Sequence, residues 1–501
     1  MMKKVLIVIL AVTAWIPFGS IASAATTYSI TISNSIQAAI NSADNGDTII
    51  LEQGVYQQKF SMANKAVTLR STDPTNPEVV TTTIIDGSGI GSVITCDSGE
   101  GLGTVINGLV IRNGGSNTNG SGIYILNSSP TITNCVITQN TAQYGKGGGI
   151  YCENGNPIIT NCTFSLNTAD YGGAIYYLGT YSNRLTPTIT NCSFTKNKAE
   201  TTGGGWGGAI YNKYASPTVT DCTFSKNIAN SAGGGMYSSD SAPKVTNCTF
   251  SNNEAHSTSE AGGGMYSSMC GPIVTNCSFT GNIAYGDGGA MVNNNCRLND
   301  IGVIITDCLF SDNKASYGDG GAVRNFQTIA TITNCIINGN SAGDNAGGLY
   351  HWNFSLAISD CVFSHNTSDK GGAMYNAYAG ITVANCMFSS NDATINGGAM
   401  NNSECTPILT ENSFCMNTPN NIEGAIDNAN SADNAFDYCT QPHPIEDLKG
   451  DFNDDDDVDY TDLLCFSEQW LSKKCSNCYS ADLNGDGEVN FQDYLILAKN
   501  W

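Results

Sequence analysis

The sequence predicts an all-β solenoid, a single-stranded parallel β-helix, followed by a small α-helical calcium-loop domain. Three observations predict it. Ten cysteines (Cys135, Cys162, Cys192, Cys222, Cys248, Cys277, Cys308, Cys335, Cys361 and Cys386) recur 25 to 31 residues apart. Each sits in a phrase such as PTITNCSFTKN at 187–197, followed by a glycine-rich GGAIY or GGGMY. Residues 446–501 carry 14 acidic and 4 basic side chains and set their acids out in the same register twice. Self-similarity at such a period means a stacked array in which each unit buries its apolar face only against its neighbours.

The chain begins with Lys3-Lys4, an apolar run from Val5, and Ala22-Ser23-Ala24. These read as a signal peptide over 1–24, with the mature chain starting at Ala25 as a secreted protein. No other stretch reaches a membrane-spanning length, and no terminal segment looks like an outer-membrane barrel, so the protein is expected not to span a membrane.

Residues 25–440 read as the β-helix, with regular repeats over 130–417. The repeat is rich in Thr, Ile, Val and Phe and punctuated by Gly, Asn and Pro, the signature of short strands and turns. Its alternation breaks once: a flat strand would send Ile189 to the opposite face from Cys192 and Phe194. A bend at Asn191 removes the conflict, because Asn tolerates the left-handed conformation of a tight corner. Asn or Asp recurs at this place, as Asn134, Asn161, Asp221, Asn247, Asn276, Asp307, Asn334, Asp360 and Asn385. A second corner is expected at the Asn of FxxN (Asn167, Asn197, Asn227, Asn253), and a third strand at GGAIY (172–176, 207–211). Three strands and three turns in about 28 residues make one coil, and about a dozen coils at roughly 4.8 Å make a rod on the order of 50–60 Å long.

GGAI paired with FxxN resembles the polymorphic outer membrane protein repeat of chlamydial surface adhesins. SIQAAINSADNGDTIILEQGVY at 35–56 resembles the opening of pectin-lyase-like right-handed β-helix proteins. That resemblance implies an N-terminal cap and first coil over 35–60, with a helix covering the open end of the core through Ile36, Ala39 and Ile40.

Net charge is −23, with no basic stripe to release counterions, which excludes nucleic acid as a partner. Twenty cysteines in an exported chain normally mean a disulfide framework. Here half fit a buried column, where parallel side-chain vectors make bridging awkward, so these are expected as free thiols. Cys270 and Cys296, on adjacent coils, are expected as a disulfide. Cys465, Cys475 and Cys478 lie too close in sequence for the pair to be chosen.

After a linker at 441–447, residues 448–501 carry the most specific motif. DFNDDDDVDYTD at 451–462 and DLNGDGEVNFQD at 482–493 both place oxygen donors at loop positions 1, 3, 5, 9 and 12. The donors are Asp451, Asn453, Asp455, Asp459 and Asp462, then Asp482, Asn484, Asp486, Asn490 and Asp493. Position 7 (Asp457, Glu488) ligates through its carbonyl. Calcium wants such a cage of hard oxygens, so two Ca2+ ions are expected. Asp456 stands where such loops usually hold glycine, a turn that Asp adopts at some cost. Two loops, each followed by one helix (460–470, 491–501), resemble a type I dockerin. The resemblance implies a cohesin-like protein as partner, chosen by loop positions 10 and 11: Tyr460 and Thr461, Phe491 and Gln492.

Catalysis is less legible. Lyases of the resembling fold use Arg or Lys beside acids, but Arg70, Arg112, Arg184, Arg297 and Arg324 scatter over different coils with no acidic cluster beside them in sequence. Related hydrolases show NTD, a DD pair, GHG and RIK, none of which occurs in the helix region. His256, His351, His365 and His443 have no acid–base constellation around them. No catalytic residue is assigned. Tyr144, Tyr171, Tyr285 and Tyr317 precede the glycine strand and suggest an exposed ladder on which sugars stack, or simply a covered turn. The expectation is a polysaccharide-binding or adhesive surface tethered through the dockerin. The alternatives are a dockerin-borne polysaccharide lyase or glycoside hydrolase, or a structural spacer.

Overall fold

The computed structural model describes residues 25–436, apart from 116–118, 201–203, 260, 297–301, 428–429 and 433. Among them, the chain winds as a right-handed parallel solenoid of about 14 turns. A regular coil has four strands, illustrated by Thr188–Thr190, Ser193–Thr195, Lys198–Ala199 and Ile210–Lys213. The expected coil had three. The extra strand is often a dipeptide such as Lys198–Ala199, too short to show any alternation in sequence. It nonetheless pairs from coil to coil in a sheet of ten strands. A second sheet stacks fifteen strands, which at the usual strand spacing makes a rod of roughly 67 Å, longer than expected.

The first corner lies where the parity conflict put it. Asn134, Asn161, Asn191, Asp221 and their successors through Asn385 have φ between 50° and 57°. The bend turns Ile189, Cys192 and Phe194 all inward, at 0, 3 and 0 % exposure. The second corner falls one residue earlier than expected. The left-handed residues are Leu166, Lys196, Lys226 and Asn252, and the following Asn points into the core. Its reason for being Asn is therefore a hydrogen-bond ladder. Asn197 Nδ2 donates to Asn227 Oδ1 (3.0 Å) and to the Phe164 carbonyl (2.9 Å), while Asn197 Oδ1 accepts the Asn167 backbone N–H (3.1 Å). The inward amide thus satisfies buried main-chain groups that the turn takes out of the strand ladder.

Two further columns fill the core. Phe164, Phe194, Phe224, Phe250, Phe279 and Phe310 stack at 4.4–4.9 Å between centroids. The ten ladder cysteines are buried free thiols. Along much of the column each backbone N–H points at the next sulfur, as from Cys192 to Cys222 Sγ at 3.4 Å. Cys270 and Cys296 are also free, which corrects the expected disulfide. The two thiols lie beside each other unbonded, and each also reaches a main-chain carbonyl, Cys270 that of Ser268 (3.1 Å) and Cys296 that of Ser267 (3.6 Å). Cys415 is disulfide-bonded.

The helix Ile36–Ser42 begins at Ser35, whose Oγ accepts the Ala38 N–H at 3.1 Å. It buries Ile36 and Ile40 completely against the core, with Ala39 partly covered. The glycines of GGAIY let neighbouring coils approach closely. A Cβ on Gly208 would lie 2.2 Å from the Gly234 carbonyl oxygen. No helix among the described residues is long and apolar enough to cross a membrane.

Candidate functional site

The strand after the glycines alternates strictly, so in Ile175–Leu178 the side chains of Ile175 and Tyr177 face in while Tyr176 and Leu178 face out. Register places Tyr124, Tyr151, Tyr176, Tyr211, Tyr237 and Tyr266 in one outward column. Their rings stack at 4.9–5.5 Å and within 12° of parallel. Tyr171 packs edge-on against Tyr176 and Tyr211 and stacks on Trp206, sealing one flank. Burial pushes the Tyr176 and Tyr211 hydroxyls up. A sugar packs its C–H groups on the flat of a ring, where the π density lies. Inside this stack each flat is taken by the next ring, and the end rings, Tyr124 and Tyr266, have Thr95 and Val292 as their outer neighbours.

The stack ends in a charged break. The next rungs of the column are Val292, Arg324, Tyr350 and Tyr375. Arg324 is 8 % exposed. Its Nε lies 3.2 Å from Asp287 Oδ2, and its guanidinium carbon lies 4.7 Å over Phe326 and 5.7 Å over Tyr350. Asp287 Oδ1 accepts the Asp319 N–H at 2.9 Å. Asp319 Oδ1 accepts the backbone N–H (3.1 Å) and the Nδ2 (2.9 Å) of Asn345. Burial first, then the charge of Asp287, raises the Asp319 carboxyl to about 6 against the Asn345 bonds that lower it.

Beside the break, strand pairing on two coils continues across one corner, in the long strands Leu349–Ser359 and Met374–Ala384, which still turn at left-handed Asn353, Phe354 and Tyr378. Phe326 and Trp352 stack here at 4.5 Å, and Tyr378 meets Trp352 edge-on at 6.1 Å. The register partner of Trp352 on the next coil is Ala377, so this ring stack ends on a methyl group. Tyr378 is 58 % exposed. An aromatic corner with a buried Arg–Asp pair and a second carboxyl is therefore assembled from coils that sequence distance separates. Behind it, His351 faces inward, fully buried, between Asn325 and Asn376. Burial lowers its imidazole to about 4.

The four tyrosines singled out in sequence do not make one ladder. Tyr144 and Tyr317 stand exposed, Tyr285 stacks on His256 at 4.8 Å, and Tyr171 belongs to the flank of the buried stack. The arginines also differ from their isolated look. Arg112 Nε pairs with Asp86 at 2.9 Å, and Arg324 joins Asp287. Arg70 and Arg184 donate to main-chain carbonyls. His256 pairs with Glu254 at 3.1 Å. The signal sequence reading missed was the last letter of GGxxY, which reads Tyr from coil to coil and then changes to Val292 and Arg324. Both calcium loops (451–462 and 482–493), the partner positions Tyr460, Thr461, Phe491 and Gln492, Arg297 and His443 lie outside the described residues.

A family model described as right-handed β-helix region matches residues 173–355, and one for the dockerin type I domain matches 449–500. A Chlamydia polymorphic membrane protein repeat model matches 134–153 and 161–177. The chain thus carries a β-helix with such repeats and a type I dockerin, a domain that binds calcium, pairs with cohesins and occurs in extracellular proteins. Among solved structures, it is similar to a mannuronic acid specific polysaccharide family 6 lyase from human gut microbiota, at 11 % identity and TM-score 0.45 over 77 % of this chain and 86 % of that one. An alginate lyase from Paenibacillus sp. str. FPU-7 aligns at 13 % identity and TM-score 0.30, over 76 % of this chain and 99 % of that one. Tailspike protein 3 of bacteriophage CBA120 aligns at 12 % identity and TM-score 0.35, over 81 % and 58 %. No curated protein matches the sequence.

Proposed function

We propose that the chain is a secreted rod that binds polysaccharide and is held in an extracellular assembly by its dockerin. Two calcium ions in the loops 451–462 and 482–493 fold that domain, and Tyr460, Thr461, Phe491 and Gln492 face a cohesin-like receptor. The observation that carries the binding half is the aromatic corner of Phe326, Trp352 and Tyr378. There a ring stack stops on Ala377, beside polar groups able to orient a sugar.

One observation favours the rival reading, a polysaccharide lyase or glycoside hydrolase. Asp319, held near 6, is suited to hold and release a proton, and Asp287 and Arg324 stand next to it. A spacer needs neither feature.

The test uses the full chain with calcium, in affinity electrophoresis through soluble neutral and uronate polysaccharides, while unsaturated products and new reducing ends are followed. Retardation without turnover, weakened at least tenfold by Trp352→Ala, supports binding. Turnover abolished by Asp319→Asn would replace this reading with catalysis. Neither retardation nor turnover would leave the spacer.

A further inference from the structure

A second face of the rod repeats more regularly than the aromatic corner does. From Thr133 to Thr333, eight successive coils put threonine in one outward register position, the last residue before the left-handed corner. Across the corner, seven successive coils from Thr138 to Ser311 put Ser or Thr in another. Between them runs the corner column itself, where Asn191 Nδ2 donates to Asn161 Oδ1 (2.7 Å) and Asn276 Nδ2 to Asn247 Oδ1 (2.8 Å).

The fold does not require threonine there. The backbone carbonyl at that position takes the ladder cysteine's thiol, as Thr190 does from Cys192 at 3.3 Å, and any residue supplies a carbonyl. Valine or isoleucine would serve a strand equally well. Two residues earlier, the outward position varies freely, as Ile158, Thr188, Lys244 and Ile273. The side-chain hydroxyls of Thr160, Thr190, Thr220, Thr246, Thr275 and Thr306 bond to no protein group among the described residues. They are half-buried in their columns, which fixes their positions.

We infer that this face binds an ordered, uncharged solid polysaccharide, its chains laid along the rod. This rests on the polysaccharide-binding reading above but uses a different surface. The array presents hydroxyls and amides on a rigid lattice of roughly 4.8 Å, so it pairs best with hydroxyls that are themselves periodic and fixed. Contacts of that kind are individually weak and gain affinity by acting together, which a solid allows and a short oligosaccharide does not. Charge sets the class. From Thr133 to Thr333 and from Thr138 to Ser311 the hydroxyl columns hold no Lys, Arg, Asp or Glu, and the Arg112 at the rung before Thr138 is paired with Asp86. The corner column carries the carboxylates of Asp221, Asp307 and Asp360, and the chain bears −23 overall, so a polyuronate is repelled.

The test is pull-down of the full chain on microcrystalline cellulose and on a calcium pectate gel. The wild type should be retained on cellulose. T190V/T220V/T246V keeps the branching and removes three hydroxyls, and its retention should fall at least tenfold at unchanged melting temperature. T190S/T220S/T246S, which keeps the hydroxyls, should still bind. W352A should keep cellulose retention while losing retardation by soluble glycans. Undiminished retention of the valine variant, or retention on pectate alone, would overturn the proposal. So would activity against ice growth in place of cellulose retention. Loss of cellulose retention in W352A alone would also sink the array while leaving the aromatic corner standing. If soluble glycans retard nothing but the cellulose results hold, it is the aromatic corner that fails.

Discussion

Half-buried Asp319 in the charged break and fully buried His351 behind it set opposing pH dependences that a single-residue change should unmask. Asp319 is raised from 3.8 to about 6 by burial and by Asp287. Its folded form holds a proton more tightly than its unfolded form, so it favours folding below about 4 and loses that contribution as pH rises to about 6. His351 is lowered from 6.5 to about 4 by burial. Here the unfolded chain takes the proton first, so the contribution is complete above 6.5 and is lost as pH falls to about 4. Each shift corresponds to about 3 kcal/mol before solvent relaxation reduces it. The two slopes run against each other over the same window, so their sum in the wild type is nearly flat. Asp319→Asn removes one slope: the variant should exceed the wild type by about 2–3 kcal/mol at pH 7.5 and lose that advantage on acidification. His351→Asn, matching its neighbours Asn325 and Asn376, should gain stability relative to the wild type as pH falls from 6.5 to 4. Urea unfolding followed by circular dichroism from pH 4.0 to 7.5 measures both. Variant-minus-wild-type curves that stay flat across the window would refute the burial argument for both groups, because other carboxylates cancel in the difference.

Other outcomes follow from the stack. Phe224→Ala removes a fully buried ring lying 4.7 and 4.4 Å from its neighbours, and should cost roughly 3–5 kcal/mol in chemical denaturation. Asn253→Leu strands the Phe224 carbonyl and the Asn227 N–H, each about 1–3 kcal/mol if left unsatisfied, so the loss should rival that of the phenylalanine although the volume is kept. A near-neutral result would mean that the amide ladder is ornamental. The ladder thiols, at most 3 % exposed, should react with a thiol reagent only on unfolding, which counting reactive groups in native and denatured protein will check. Calcium chelation should abolish the helical signal of the dockerin while the β-signal persists, because ligand geometry and folding are coupled in such loops.

The inside of this rod was legible because its constraints are local and repeated. One parity conflict between Ile189 and Cys192 located the first corner to the residue, since only a left-handed turn puts both inside. The second corner was misplaced by one because Asn suits both a turn and a buried ladder, and only the bonds to Phe164 and Asn227 decide between them. Lys198–Ala199 escaped notice because two residues carry no period. The cysteine pair was misread because adjacency between coils brings two thiols together without joining them. The charged break was hidden for a different reason. Asp287, Asp319 and Arg324 look scattered along the chain, yet stacking brings positions about thirty residues apart to neighbouring rungs.

That same one-dimensional stacking separates residues that the fold demands from those it leaves open. Inward Phe, Cys and Asn must repeat, because each coil supplies half of its neighbour's packing and hydrogen bonds. An outward side chain has no such obligation, and most outward columns here drift, as Ile158, Thr188 and Lys244 do. Beside the Ser/Thr column from Thr138 to Ser311, two departures from drift stand out on physical grounds. One is a column that holds threonine through eight coils without a packing need. The other is a column of stacked tyrosines that gives way to a buried arginine and its carboxylate at one level of the rod. Burying Arg324 and Asp287 together carries a desolvation cost that a seventh tyrosine would have avoided. A rung that bears such a cost, next to the exposed ring of Tyr378, is where the binding reading proposed above puts its ligand.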